Sequence, residues 1–261
     1  MTETTGLRIL VCVKRVPAPG ARINLTADGT EVDATHLGFT TSPHEECALE
    51  VAVQLVEANG GDTTVMTLGP AEAAEQLGYG VSVGAQRAVL VEIDGPDWDP
   101  QATARALTDT IIDLEAADGP FDLILFGNES ADSGGFQVGI RVGHALDRPT
   151  VNGAKALEVI DGVARVRREV EAGLEQYELP LPAVVGIKEG INLPRYPTMR
   201  GRLASKKAQV TTVEPEHRPG GQRLVRLERP AEQVADTVVL GHGPEAAAAV
   251  VELLDELGVL A

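Results

Sequence analysis

The chain has 261 residues, 43% of them hydrophobic, enough to bury one substantial core with extensions or two small domains. A formal net charge of -17 repels nucleic acid and anionic membrane surfaces, which makes both poor partners. Two cysteines outside any C-x-x-C pair exclude a disulfide scaffold, and no run approaches the ~20 apolar residues of a membrane span.

With no charged-then-apolar leader in Met1 to Arg8, a soluble, unprocessed, cytoplasmic protein of a reducing compartment is expected. Leu7 to Val13 (LRILVCV) is the natural first strand, ending at Lys14-Arg15 before Pro17, Pro19 and Gly20. Ligands of open parallel sheets bind at the carboxyl edge, so Cys12 and its neighbours are candidates to line the same pocket as the Gly127 loop, although a small, buried, unreactive thiol is the plainer reading of Cys12 itself. Ala21 to Val32 looks like a hairpin-like excursion turning at Asp28-Gly29.

Ser42-Pro43-His44-Glu45 reads as a capping box, followed by apolar residues at helical spacing from Cys47 to Ala58, with Asn59-Gly60-Gly61 as the stop. His44 falls in the first turn, within reach of a ligand at the helix start, but a solvent-facing histidine is the commoner outcome. Nothing near it completes a metal site or a triad. Thr63 to Leu68 and Arg87 to Glu92 read as strands around a helix from Ala71 to Tyr79. Asp99-Pro100 then caps a helix with Ala104, Leu107, Ile111 and Leu114 on one face.

Phe121 to Gly139 (FDLILFGNESADSGGFQVG) puts a buried strand, a glycine turn and a helix start in immediate succession. Gly127, Gly134, Gly135 and Gly139 permit close backbone approach, while Asn128, Glu129, Ser130, Asp132 and Ser133 supply donors and acceptors. The segment Phe136 to Leu146 has helical spacing, and free N–H groups at its start favour phosphate. The reading is a nucleotide cradle, with an ordinary polar strand-to-helix loop as the alternative, since no known fingerprint is matched. The strand ends at Cys12, Leu68 and Gly127 are expected on one sheet edge.

After Pro149 short strands at Ala156–Ile160, Val163–Val170 and Leu174–Leu179 are expected to form antiparallel hairpins, with a further strand at Leu181–Ile187. Lys188 to Lys207 is a long Pro- and Gly-punctuated segment mixing Tyr196 and Met199 with arginines, which resembles a docking surface as much as irregular covering of the sheet. Thr211 to Gln233 reads as a linker, and Pro244 to Leu257 as an amphipathic terminal helix. Gly241-His242-Gly243-Pro244-Glu245-Ala246 imitates a dinucleotide fingerprint, but no strand or acidic residue follows it at the required distance. The expected fold is α/β, a doubly wound, mostly parallel, Rossmann-like sheet with antiparallel hairpin additions. It is divided into a nucleotide-binding domain at 1–210 and a linker with a C-terminal helical arm at 211–261.

Several separated motifs carry a resemblance over nearly the whole chain: LVCVKRV from Leu10 to Val16, Ser42-Pro43 with Glu45-Glu46, TLGP from Thr67 to Pro70, Gly127 to Gly139, and Val166 to Gly186 running into NLPRY from Asn192 to Tyr196. In their order and spacing the chain resembles the beta subunit of an electron-transfer flavoprotein, departing from the family signature at Ala172, Tyr177 and Gly186. The resemblance implies a non-catalytic half of a heterodimer. Its alpha subunit holds the redox-active FAD, and its beta subunit holds AMP, or a second FAD in electron-bifurcating members. Nucleotide contacts carry over to Cys12, Ser42, Leu68 and to Gly127, Asn128, Glu129, Ser130, Ala131, Asp132, Ser133, Gly134, Gly135, Phe136, Gln137 and Val138. Partner docking carries over to Pro194, Arg195, Tyr196 and an apolar anchor at Met199, with Glu169 steering the mobile flavin domain. Acyl-CoA or other flavin dehydrogenases are the implied electron donors, and a membrane quinone reductase the acceptor. A stand-alone ATP- or AMP-binding regulator similar to universal stress proteins is the competing reading. An NAD-dependent dehydrogenase rests only on the Gly241 imitation.

Overall fold

Strand β1 (Leu7–Val13) shows how the core is divided. Ile9, Val11 and Val13 belong to one buried apolar cluster, while Leu10 and Cys12 belong to a second, as the period of two in a strand dictates. A strand buried on both faces needs helices on both sides. Helices α1 (Pro43–Asn59) and α2 (Ala74–Val83) supply the first cluster, and α3 (Pro100–Asp118) and α4 (Val138–Ala145) the second. The computed structural model describes residues 6–231 and 237–260. Residues 1–5, on which the expectation of an unprocessed start falls, the stretch 232–236 at the end of the expected linker and the last residue of the expected arm lie outside them.

The other strands of the main sheet are β4 (Gly61–Gly69), β5 (Arg87–Glu92), β6 (Leu123–Gly127), β7 (Thr150–Ile160), β8 (Val163–Val170), β9 (Gly173–Pro180), β10 (Ala183–Ile187) and β11 (Val210–Val213). Their order is β11-β5-β4-β1-β6-β10-β7-β8-β9; the pairs from β11 to β7 are parallel, and only β7-β8 and β8-β9 are antiparallel. Cys12 lies opposite Met66 of β4 and Phe126 of β6. The winding runs outward from β1 through β4 and β5, then returns to β6 on the other side of β1. A doubly wound sheet of this kind opens a crevice where the direction reverses, here between the carboxyl ends of β1 and β6.

The excursion after β1 is a small sheet of β2 (Arg15–Pro17) and β3 (Phe39–Thr41), with a single antiparallel bridge between Leu25 and Val32 around the Asp28-Gly29 turn. The segment expected as a helix from Ala71 begins as a 3₁₀ turn, Ala71–Ala73, and becomes α-helical at Ala74. The strand expected from Leu181 begins at Ala183, after Pro182, which has no N–H for the ladder. Thr211–Val213, expected in the linker, complete β11 and pair with β5. The following residues are tied to α3: the Gly220 N–H donates to Asp99 at 2.9 Å, and Gly221 to Gln101 at 3.1 Å. The first compact unit therefore runs to residue 227, past the expected boundary at 210/211. The second, from residue 228, contains a 3₁₀ turn, Gly243–Ala246, and α6 (Ala247–Glu256), which has no buried residue.

Candidate functional site

The crevice at the β1/β6 reversal is a cleft of about 230 Å³. Cys12, Val13 and Lys14 enter it from the end of β1, Leu68 from β4, and Phe126 to Ser130 from β6 and its loop. Ser133, Gly135, Phe136 and Gln137 continue the loop, and Val138, Gly139 and Ile140 open α4. The opposite wall is Asp97, Trp98, Pro100, Thr103 and Leu107, from the β5–α3 loop and the start of α3. Asn152 of β7 also reaches in. Of the residues expected around a nucleotide, Ser42, Ala131, Asp132 and Gly134 do not line the cleft.

Local chemistry explains how the loop is held. A Cβ on Gly127 would lie 2.7 Å from Glu45 Cγ and 3.1 Å from His44 Cβ, so only glycine lets the end of β6 approach the first turn of α1 this closely. The backbone N–H of Asn128 donates to Ile187 O at 2.7 Å, and Asn152 Nδ2 to Asn128 O at 3.4 Å, anchoring the loop to β10 and β7. Phe136 has φ 54°, in the left-handed region, and therefore stands outside the helix expected to begin with it. Helix α4 starts at Val138, no side chain caps it, and its first N–H groups are free of intrahelical partners.

The capping box before α1 does not form as expected. Ser42 occupies the N-cap but makes no side-chain cap bond; its hydroxyl donates instead to Glu129 O at 3.5 Å. Glu45 accepts the Lys14 backbone N–H at 2.6 Å. Burial pushes its carboxyl up to about 8, with the Lys14 contacts working the other way. The Cys12 thiol is also driven upward by burial and by Glu45, which fits the unreactive reading. His44 is not solvent-facing: its side chain is largely buried, its Nδ1 accepts the Glu189 N–H at 2.8 Å, and its Nε2 lies 3.5 Å from Glu129 Oε1.

The Lys188 to Lys207 segment is more ordered than a covering loop. It runs along α1, held by Glu189 to His44, by Asn192 Nδ2 donating to Cys47 O at 3.1 Å, and by Arg195. Arg195 Nε donates to Glu50 Oε2 at 2.8 Å and Nη1 to Glu57 Oε1 at 2.6 Å. These hydrogen bonds hold the guanidinium well above its ordinary pKa. Arg195, expected at a docking surface, thus fastens the segment to α1. The segment ends in helix α5 (Met199–Ser205), which packs on α2 because Gly201 sits where a Cβ would collide with Ser82 O. Left outward are Leu193, Tyr196 and Met199, exposed by 90%, 93% and 76%. Pro194 is half-buried beside them, and Glu169 is exposed on β8 opposite Leu174 of β9.

Residues 31–217 match the model of the electron transfer flavoprotein domain. The chain belongs to the electron-transfer flavoprotein family. It is 36% identical to the electron transfer flavoprotein subunit beta of Syntrophomonas wolfei over 209 residues, 80% of each chain. The subunit beta of Bacillus subtilis is 32% identical over 222 residues, covering 82% of this chain and 84% of that one. That of Bradyrhizobium diazoefficiens is 31% identical over 207 residues, covering 78% and 80%. The chain therefore has the role of an electron-transfer flavoprotein beta subunit. Among the described residues no helix is long and apolar enough to cross a membrane, and no group of three or more His, Cys, Asp or Glu is placed to hold a metal ion.

Glu45, which also lines the cleft, and Asp97, Trp98 and Asn152 lie outside the residues that sequence reasoning places there. Lys14 was legible as the basic end of a strand at the carboxyl edge, and Trp98 as the only tryptophan, one residue before a helix cap. Asn152 left no local signal, because its place depends on β10 entering between β6 and β7.

Proposed function

We propose that this chain pairs with an alpha subunit carrying the redox-active FAD and holds an AMP in the β1/β6 cleft. In this reading it docks flavin dehydrogenases, acyl-CoA dehydrogenases among them, through the segment from Lys188 to Lys207. Electrons pass through the alpha-subunit flavin toward a membrane quinone reductase, and this chain performs no redox chemistry of its own. The observation that carries the reading is the cleft itself. It offers an apolar surface for a base at Leu68, Trp98, Leu107 and Phe126, and an uncapped helix start at Val138 for a phosphate. Gly127 keeps the start of the intervening loop close against α1. For the docking role, Leu193, Tyr196 and Met199 form an exposed apolar set on a fastened segment, the kind of anchor that transient interfaces use. A stand-alone nucleotide-binding regulator has no use for that set.

The experiment is to denature the purified complex and identify the released small molecules. One FAD and one AMP per heterodimer is the expected result. Two FAD would replace AMP as the cleft's ligand, and absence of any second nucleotide would overturn the cleft assignment.

A further inference from the structure

The walls of the cleft come from separate loops, and one side chain joins two of them. Lys14 Nζ lies 2.6 Å from Asp132 Oδ2 in the loop after β6 and 2.9 Å from Asp97 Oδ2 in the β5–α3 loop. β1 stands between β4 and β6 in the sheet, so a lysine at its carboxyl end is the natural bridge from one side of the crevice to the other. Its base is fixed as well, because its own N–H is bound to the buried Glu45 at 2.6 Å. Burial alone would lower the Lys14 pKa, but the two carboxylates outweigh it and the net direction is upward. Arg15, the other cation at this strand end, is engaged elsewhere, over the ring of Phe39 at 3.3 Å.

Two consequences follow from this placement. Asp97 precedes Trp98, so tying down Asp97 also ties down the aromatic wall of the cleft. Lys14 also neutralises carboxylates that would otherwise repel an anionic ligand. We propose that Lys14 is a positioning residue that straps the two walls together, and that this ion-paired bridge, more than any direct contact with the ligand, sets how slowly an adenine nucleotide leaves. The proposal rests on the reading of the cleft as a nucleotide site and adds to it the residue that governs retention.

A bridge between walls and a cation that grips phosphate make different demands on the ligand. A strap retains adenosine as well as AMP, whereas a phosphate contact retains AMP only. The test uses the full-length chain loaded with labelled AMP or labelled adenosine and chased with excess unlabelled ligand. Lys14→Met is expected to speed release of adenosine by about 10-fold, the effect of losing two partly exposed ion pairs, and of AMP by at least as much, since the freed carboxylates repel it. Asp97→Asn should speed both by a smaller factor and add nothing to Lys14→Met, since the two changes break the same bridge. Faster release of AMP with adenosine unchanged would overturn the strap in favour of phosphate binding; unchanged release of both would overturn it outright. If the unaltered chain binds neither ligand, the nucleotide reading falls and the strap with it. Should Lys14→Met fail to fold, Asp97→Asn decides by the same criterion, because Asp97 is two-thirds exposed and outside the core.

Discussion

Glu45 is a carboxyl in a place where a charge is costly, and that cost has a pH signature. Its folded pKa of about 8 stands above the ordinary 4.5, so between those values the folded chain keeps a proton that the unfolded chain releases. The group's contribution to stability is complete below about pH 4.5 and lost as pH rises toward 8. Glu45→Gln keeps an acceptor for the Lys14 N–H without the ionisation. It is expected to unfold at a higher urea midpoint relative to the unaltered chain at pH 8 than at pH 5. A difference that does not change with pH would show the carboxyl to be ionised throughout. Met199 is the residue for the docking test: truncation to alanine removes an outward apolar anchor and is expected to weaken dehydrogenase affinity by about 10-fold or more, with assembly and flavin spectrum intact. Steady-state titration with the dehydrogenase checks it. At this scale the sequence was most legible where neighbours in space are neighbours in the chain, as from Gly127 to Val138. It was least legible for Asp97 and Asn152, which reach the cleft only through the order of the strands.

At the scale of elements, the segment from Lys188 to Lys207 shows how an exposed surface is kept rigid. Arg195 ties it to Glu50, which is only 5% exposed, and to the outer Glu57. Arg195→Met leaves Glu50 in its buried position without a cation and is expected to cost about 1–3 kcal/mol, less than for a wholly buried pair because the guanidinium is partly solvated. Adding Glu50→Gln should recover most of that loss in urea unfolding, and failure to recover it would place the effect in packing of the arginine stem. Helix α6 poses the converse case: an element with Val250, Val251 and Leu253 exposed and no buried residue. Removing residues 244–261 is expected to weaken pairing with the alpha subunit far more than it lowers the melting temperature of the remainder, as measured by pull-down and calorimetry. Element types were readable from their apolar periods, as in α1, and from caps, as at Asp99 before α3. Boundaries slipped where one residue's backbone decided them: Phe136 in the left-handed region delays α4, and Pro182 shortens β10.

Over the whole molecule, charge is unevenly spread. The chain carries -17, yet its segment from 188 to 207 holds six basic residues and one acidic one. Docking is therefore expected to be steered by charge, and its association rate should fall as salt rises from about 0.05 to 0.5 M, where screening shortens to a few ångströms. Stopped-flow reduction of the complex by its dehydrogenase measures this, and a salt-independent rate would leave the apolar anchor as the sole determinant. The doubly wound fold was legible because its buried strands read as continuous apolar runs between helices. The position of β10 was not, since periodicity does not say which edge a strand joins.

That position has a consequence for how the protein is made. β10 lies between β6 and β7, so within the sheet it is the only seam joining the meander β7-β8-β9 to the strands built before it. Until the residues from Ala183 onward are made, the edge of the buried, apolar β6 and the facing edge of the half-buried β7 both stand open, with nothing to bond. Nascent chains at that stage display paired vacancies that another nascent chain could fill, and the interval between completion of β7 and arrival of β10 is the one in which a chaperone has most to protect.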